Sequence, residues 1–493
     1  MDSYAAYLFA SMVFFTRRGL ILSRLCFAPS LPDILLRFWR EILDLLAHSL
    51  GCKLEILAHE EQGYATYGTG AATSSCEKQS RTIQRRAWVI ASLLIFYLVI
   101  SVIASSSLLV RDEPGYVGNA SRMVHGPYAP PHDFGQDFRL WWGPGYTFVL
   151  VPFIVFRLPW IVAKCLNAGF LFGAIIYFYR LTQRYIPGTA ALLITFALGL
   201  YPPFVRELPY LLSECLTIFL ICGFMFHFCV LYNNARHSRL HLSAASVYLA
   251  YLALTKVFFG YVIVTVLMLW LGLLLWRRTP AVRKALLVYV LALIWCVPYL
   301  LYTHSLTGRT FYWGTSGGMS LYWMSSPYPN ELGSWISARS VHEMPELAPH
   351  REFFDKLEGL SDVDRDDAFK KEAIYNIAHH PGKYAANWAA NVGRLLFNYP
   401  YSFESAHLGT YFYMAPNMFV VVLFLLSVFP AILRPRAIPF ELWALLIFAL
   451  CAFGGSTLLS AYDRQFRPLV PILCFWMGYV YLRMLRIDFR GNT

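Results

Sequence analysis

The sequence predicts an all-α polytopic membrane protein with about 10–11 transmembrane helices, juxtamembrane helices and one large outer loop of mixed structure. Three observations support this fold class. The chain of 493 residues is 57% hydrophobic and only 14% charged, whereas soluble domains carry about 25% charged residues. Ten apolar runs approach or exceed the length that crosses a bilayer, about 20 residues. The basic residues between these runs cluster on alternate sides, as the orientation rule for membrane proteins predicts.

Charge and cysteine content exclude two classes of protein. The net charge is +12, but the basic residues lie in short loops between apolar runs, which is not the pattern of a nucleic-acid-binding face. Seven of the ten cysteines fall within apolar runs, and none lies in 111–160 or 304–412. The sequence therefore predicts neither a disulfide framework nor a cysteine zinc site.

Residues 1–86 differ from the rest of the chain and are predicted to form a cytoplasmic N-terminal extension that is disordered in part. The apolar stretch Tyr4–Phe15 is too short to cross a bilayer, which takes about 20 residues. Leu31–Ala47 has apolar residues at helical spacing with charged residues between them, a pattern typical of a helix on a membrane surface. The extension ends in the basic Arg85 and Arg86.

The apolar runs define the transmembrane helices. We predict helices that cross the membrane at 88–110, 160–179, 187–204, 209–232, 241–256, 258–276, 285–303, 414–433, 438–459 and 467–483. A further run, 141–158, is left out because the basic clusters then alternate consistently between the two sides. We expect it to form a juxtamembrane or re-entrant helix on the outer face, broken by Pro144 and Pro152.

This topology divides the chain into segments. They are a core at 87–303 with a first outer loop at 111–159, a large outer loop at 304–413, and C-terminal helices with a short basic tail at 414–493. The large outer loop far exceeds the length of about 15 residues beyond which loops are usually functional. Its part 314–335 is rich in Gly, Ser and aromatic residues, 343–372 is acidic and predicts a solvated helical surface, and 370–397 has helical periodicity interrupted by Pro381.

The acidic pair Asp112–Glu113 is the strongest functional signal and directly follows the run 88–110. Carboxylates at a membrane surface are costly unless something uses them. The alternative is a polar border that merely ends a membrane helix. Because neighbouring side chains point in different directions, we expect only one of the pair to face a substrate, and we choose Asp112 as a general base.

Three basic residues on the same outer side are candidates for binding a phosphate. Lys256 lies between two apolar runs, where it would either snorkel to the interface or hold a lipid phosphate. Arg464 and Arg467 break the positive-inside pattern, and stabilisation of a leaving phosphate would explain them. Self-pairing of Asp463 with an arginine is the alternative.

Other polar residues are candidates for supporting roles. Asp137 and Arg139 lie in the first outer loop, and Glu214 lies within an apolar run, where ionisable groups usually face a cavity or a partner. The adjacent pair His379–His380 indicates a helix end before Pro381, since neighbouring histidines on a helix do not easily share one ion. No metal site is assigned, no cofactor is required, and a divalent ion is allowed but not implied.

The order and sidedness of these motifs resemble the GT-C class of polyprenyl-phosphate-sugar-dependent glycosyltransferases, such as protein O-mannosyltransferases and lipid A aminoarabinose transferases. The motifs that carry the resemblance are Asp112–Glu113, WWGPGY (141–146), LSECL (212–216), ALTK (253–256), TGRTFYWGTSGGMSLYW (307–323), HHPGKY (379–384) and YDRQFRPLVP (462–471). The chain departs from the family at WGPG, where relatives carry a Pro-Pro-Leu form. It also departs at Lys256, where arginine is commoner, and in residues 1–86, which have no counterpart.

The resemblance implies an integral membrane hexosyl- or pentosyltransferase. It would move a sugar from a polyprenyl-phosphate donor to a lipid, glycan or protein acceptor with inversion. The active site would face the periplasm from a bacterial inner membrane. Asp112 would be the base, Glu113 its catalytic neighbour, and Lys256, Arg464 and Arg467 would bind the donor phosphate.

Two alternatives to this function stay open at the level of sequence. One is an O-antigen ligase or polymerase, which also has a large outer loop with arginines but leaves the acidic pair without a purpose. The other is a transporter or flippase, which usually has repeated halves and charges within its spans. Here the charges concentrate at one face, so we rank the glycosyltransferase first.

Overall fold

The computed structural model describes residues 69–126, 128, 140–233, 237–406 and 408–485, with the backbone alone for 69–85. Across these residues it is helical and contains no β-strand, only an isolated bridge between Tyr401 and Glu404. The predicted all-α fold of a polytopic membrane protein is confirmed. The stretches Tyr4–Phe15 and Leu31–Ala47, as well as Asp137 and Arg139, lie outside the described residues.

Seven helices in the described part of the chain are long and apolar enough to cross a membrane, by length and composition. The apolar segments are Arg86–Ile103, Trp160–Tyr185, Glu214–Asn233, Phe258–Trp276, Pro280–Thr307, Leu408–Leu433 and Phe440–Thr457. Each coincides with a predicted run. The first belongs to a longer helix, Thr69–Ile103, so helix runs through the predicted end of the N-terminal extension at residue 86. The chain divides into two units between Val89 and Ile90, and of the first unit only residues 69–89 are described.

The other three predicted runs are also helical, but they are shorter or more polar. The run 187–204 forms the helices Gly188–Gly199 and Pro202–Val205. The run 241–256 forms Ser238–Thr255, which begins with Ser, Arg and His in its first turn. The run 467–483 forms a 3-10 turn Arg467–Leu469, then the α-helix Val470–Tyr479, then the π-helix Val480–Met484. All ten predicted runs therefore form helices. Seven of them have the length and hydropathy of a membrane-spanning helix, which is fewer than the predicted number of transmembrane helices.

The run 141–158 forms a single short helix, Pro144–Val155. Its 12 residues span about 18 Å, well short of the roughly 30 Å of a hydrocarbon core. The expectation that it does not cross agrees with this length. The expected breaks do not occur, because Pro144 begins the helix, where no backbone donor is needed, and Pro152 lies inside it.

Two glycines let this short helix approach the end of the helix Ser238–Thr255. A Cβ added at Gly143 would lie 2.0 Å from the carbonyl oxygen of Leu254, and one at Gly145 would lie 2.4 Å from Oγ1 of Thr255. No side chain fits between the two backbones at these positions. The two glycines of WGPG therefore permit a close backbone contact, and this contact fixes the chain immediately before Lys256.

We expect Gly143→Ala to lower stability, because the obstacle is a backbone carbonyl that has no rotamer to move. Overpacking of this kind costs about 1–3 kcal/mol. The matched control is Gly169→Ala, inside the helix Trp160–Tyr185 with nothing within 4 Å of the added Cβ. That change should stabilise slightly, by about 0.5–1 kcal/mol. Thermal unfolding of both variants in detergent would measure the difference. Equal midpoints would show that the close approach is not required.

The outer segment between the helices Pro280–Thr307 and Leu408–Leu433 is built from short helices. They are Gly317–Met324, Ala338–Glu343, Ala348–Lys356, Asp362–His379 and Pro381–Phe397, with a 3-10 turn at Pro345–Leu347. The predicted interruption at Pro381 is confirmed. The acidic part is not simply a solvated surface, because Phe354, Leu357 and Phe369 join Tyr322 and Trp323 in a buried aromatic core.

Candidate functional site

Four charged side chains from distant segments lie together at one end of the helix bundle. Asp112 precedes the helix Glu113–His125, and Glu214 begins the helix Glu214–Asn233. Lys256 follows Ser238–Thr255, and Arg464 lies in the 3-10 turn Asp463–Gln465. We call Asp112, Glu214, Lys256 and Arg464 the charged cluster. All four were candidate site residues in the sequence, and the fold brings them together.

Asp112 and Arg464 form an ion pair that is open to solvent. Nη1 of Arg464 donates to Oδ2 of Asp112, and the two side chains are 35% and 29% exposed. Although Asp112 occupies the N-cap position of its helix, its side chain makes no capping hydrogen bond. Partial desolvation favours the neutral form of Arg464, but the carboxylates of Asp112 and Glu214 outweigh it and raise the pKa of the guanidinium. The pair thus presents a carboxylate and a permanent cation side by side.

Glu214 and Lys256 form the second, more buried pair of the charged cluster. Nζ of Lys256 donates to Oε1 of Glu214 at 2.9 Å, and the side chains are 18% and 5% exposed respectively. The other oxygen of Glu214, Oε2, is buried and has no hydrogen-bond partner among the described residues. A buried polar atom without a partner is costly and calls for a functional explanation.

Glu113 lies apart from the cluster and is fully buried. Its Oε2 accepts from the backbone N–H of Val110 and its Oε1 accepts from that of Leu211, both at 2.7 Å. Nζ of Lys164 lies 3.7 Å from Oε1. Through these hydrogen bonds Glu113 connects the backbone next to Asp112 to the loop before Glu214. As expected for neighbouring residues, the two acids point in different directions.

Arg467 is held in a buried network beneath the charged cluster. Its Nη1 donates to Oε1 of Glu207 at 2.6 Å, and its Nε and Nη2 both donate to Oδ2 of Asp463. The second oxygen of Glu207 lies 3.3 Å from Nη1 of Arg111. Arg467 is only 5% exposed, so its donors are directed to these carboxylates. The pairing of Asp463 with an arginine, considered as an alternative from the sequence, is present.

Two tyrosines that the sequence did not single out, Tyr116 and Tyr462, line the charged cluster. The hydroxyl of Tyr116 donates to Oγ of Ser213 at 3.0 Å, next to Glu214. Tyr116 follows Asp112 by four residues, and this helical spacing is the signal that could have identified it. The guanidinium of Arg464 lies 5.5 Å from the ring centre of Tyr462.

Asn391 holds the loop that carries Arg464. Its Nδ2 donates to the carbonyls of Thr457 and Leu459, at 3.0 and 2.7 Å, and its Oδ1 accepts from the N–H of Ala461 at 3.0 Å. Asn391 lies on the outer helix Pro381–Phe397 and is fully buried. These hydrogen bonds connect the outer segment to the loop next to Arg464. Nothing in the sequence around Asn391 indicated this role.

Metal-ligand side chains gather elsewhere on the described surface. His342, Asp355 and Glu358 place ligand atoms within 4.8 Å of one another, and all three are exposed. They lie in the outer segment and not in the charged cluster. His379 and His380 end one helix and precede the next, as predicted, and Nδ1 of His379 is bonded to the carbonyl of Tyr375.

No protein-family model and no curated protein matches this chain. Among solved structures, the chain is similar to the oligosaccharyltransferase AglB from Archaeoglobus fulgidus in complex with an inhibitory peptide and a dolichol-phosphate. That match has a TM-score of 0.44 and 15% identity, and covers 79% of this chain and 50% of AglB. It is also similar to ArnT from Cupriavidus metallidurans bound to undecaprenyl phosphate, with a TM-score of 0.33, 15% identity and coverage of 80% and 78%.

Both matched proteins belong to the GT-C class, which the sequence motifs resemble. The chain spans about half the length of AglB. Since the TM-scores lie below 0.5, these similarities do not establish an activity. The evidence for an activity lies in the residues of the charged cluster.

Proposed function

We propose that this protein is an integral membrane glycosyltransferase that moves a sugar from a polyprenyl-phosphate donor to an acceptor. The observation that carries the proposal is the charged cluster, in which the part-exposed carboxylate of Asp112 pairs with Arg464 and a second cation, Lys256, pairs with Glu214. Sugar transfer from a lipid phosphate needs both groups. A base deprotonates the acceptor, and cations stabilise the charge that develops on the departing phosphate.

Asp112 acts as the base in this mechanism. It takes the proton of an acceptor hydroxyl or amine as that atom attacks the anomeric carbon of the donor sugar. The bond between the anomeric carbon and the phosphate oxygen breaks, its electron pair stays on the phosphate, and the configuration at carbon inverts. Arg464 and Lys256 donate to the departing polyprenyl phosphate. Arg464, which is paired with Asp112 before substrate binds, can turn toward the phosphate because both side chains are part exposed.

The remaining candidates divide into contacting and positioning residues. Glu214 holds Lys256, and its unpartnered Oε2 is available to orient an acceptor. Glu113, expected from the sequence as the catalytic neighbour of Asp112, and Arg467, expected to bind the donor phosphate, act instead as positioning residues, because their polar atoms are bonded within the protein. Asp137 and Arg139 stay predicted acceptor contacts of the first outer loop.

The side of the membrane that the charged cluster faces is part of the proposal. The basic clusters between the helices support an outer position for the charged cluster, because basic residues favour the inner side of a membrane. In a bacterial inner membrane the outer side faces the periplasm. The lipid tail of the donor would then lie in the outer leaflet of that membrane. A transporter receives no support from the cluster, since its charges lie at helix ends and not at mid-membrane.

The proposal predicts a defined chemical loss when the gene is deleted. We expect mass spectrometry of envelope glycans and glycolipids to show one sugar-sized mass missing in the deletion strain and restored by the wild-type gene. The missing mass would identify the sugar, and the molecule that carries it would identify the acceptor. An unchanged set of glycans and glycolipids under conditions where the gene is expressed would contradict the proposal.

A further inference from the structure

A cavity lies far from the charged cluster, along the helix Leu408–Leu433. Near the start of this helix, the ring of Tyr413 contacts the guanidinium groups of Arg206 and Arg467, 4.6 and 5.3 Å from its centre. The cavity lies near the end of the helix, beside Arg434. Tyr413 and Arg434 are 21 positions apart in the chain, which corresponds to about 30 Å of helix. The cavity is therefore at the opposite end of the bundle from the proposed active site.

Most of the wall of this cavity is apolar. It has a volume of about 880 Å³ and lies between the helix Leu408–Leu433 and the last helical segment of the described chain. Leu426, Phe429 and Leu433 line it and are 61%, 69% and 63% exposed. In water such a surface would be unfavourable, but in a bilayer it is the surface that acyl chains cover.

Two arginines line the same groove. Nε of Arg483 donates to the carbonyl of Tyr185 at 2.7 Å, and Arg434 follows the last residue of its helix. Neither forms an ion pair with a carboxylate in the described part of the chain. Glu441, in the first turn of the helix Phe440–Thr457, accepts instead from the hydroxyl of Tyr185 at 2.7 Å. The guanidinium groups of both arginines therefore have N–H groups that can donate to a ligand in the groove.

The groove has a fixed shape. The hydroxyl of Tyr479 donates to the carbonyl of Ala437 at 2.9 Å, and that of Tyr481 donates to the carbonyl of Leu423 at 2.6 Å. The bond of Tyr481 joins the last helical segment to the helix Leu408–Leu433, and the bond of Tyr479 joins it to the 3-10 turn Pro435–Ala437. Tyr481 and Arg483 lie on the π-helix Val480–Met484, a rare local form that is frequent at functional sites.

We propose that this groove binds an anionic phospholipid. Its acyl chains lie along Leu426, Phe429 and Leu433, and its phosphate accepts hydrogen bonds from Arg434 and Arg483. Basic pockets between membrane helices bind acidic head groups in this way, and arginine is well suited to a phosphate because it can donate two parallel bonds. The site is independent of the proposed sugar transfer and would hold even if that proposal fails.

The test measures lipid retention by native mass spectrometry. The purified full-length chain is reconstituted with equal amounts of phosphatidylglycerol and phosphatidylcholine, and the lipids that stay bound are counted. We expect the wild type to retain phosphatidylglycerol preferentially. The double variant Arg434→Gln and Arg483→Gln should lose that preference, with an apparent affinity on the order of tenfold weaker.

Two further variants make the result decisive. The control is the double variant Arg277→Gln and Arg278→Gln, which removes the same charge from an exposed loop outside the groove and should keep the preference. Arg434→Gln alone changes a side chain at the surface and should give an intermediate loss even if the Arg483 change impairs folding. Equal loss in the control and groove variants, or no preference in the wild type, would overturn the proposal.

Discussion

Asp112→Asn is expected to fold normally and to transfer sugar more slowly by a factor on the order of 10² to 10⁴, the usual contribution of a general base. Asparagine has the size of aspartate and can still accept from Arg464, but it cannot take a proton from the acceptor. The lost ion pair is part exposed, so its effect on stability should stay below about 1 kcal/mol. The measurement is restoration of the missing glycan mass in the deletion strain, at matched protein level.

The outer segment offers a matched control for this variant. Asp367 pairs with Arg309 in an ion pair whose side chains are 38% and 53% exposed, which is similar to the pair formed by Asp112 and Arg464 but away from the charged cluster. Asp367→Asn should restore the glycan fully. If Asp112→Asn also restores it, the acidic pair is only the polar border of a membrane helix and Asp112 is not the base.

The helices could be predicted because their signals are local. An apolar run of about 20 residues specifies a membrane helix whatever it packs against, and each of the ten predicted runs is helical. The interruption of the outer loop at Pro381 is equally local, since proline removes a backbone donor. The exact ends of the helices were less predictable. The run 187–204, for example, was predicted as one helix and is two.

The pairing of charges could not be predicted, because it joins residues far apart in the chain. Asp112 and Arg464 are separated by 352 positions, and no spacing rule connects them. For the same reason the sequence did not distinguish Arg464, which is part exposed in the charged cluster, from Arg467 three residues later, which is buried between two carboxylates. The close contact of Gly143 with Leu254 was likewise invisible until the two helices were placed.

Arg467→Gln is expected to produce the largest loss of stability among these changes. Arg467 lies between Glu207 and Asp463, whose side chains are 2% and 7% exposed. Its removal leaves two buried carboxylates without their main partner. Breaking a buried ion pair by removing one side costs about 3–5 kcal/mol. Unfolding in detergent, followed by circular dichroism, should show a clearly lower midpoint for this variant than for the wild type.

Two comparisons separate this structural role from the phosphate-binding role that the sequence suggested for Arg467. Arg309→Gln removes an arginine from an exposed pair and should change stability by less than about 1 kcal/mol. Adding Glu207→Gln to Arg467→Gln should recover part of the lost stability, because one of the stranded charges is then removed. An Arg467→Gln protein that unfolds at the wild-type temperature yet no longer binds a polyprenyl phosphate would instead place Arg467 at the donor phosphate.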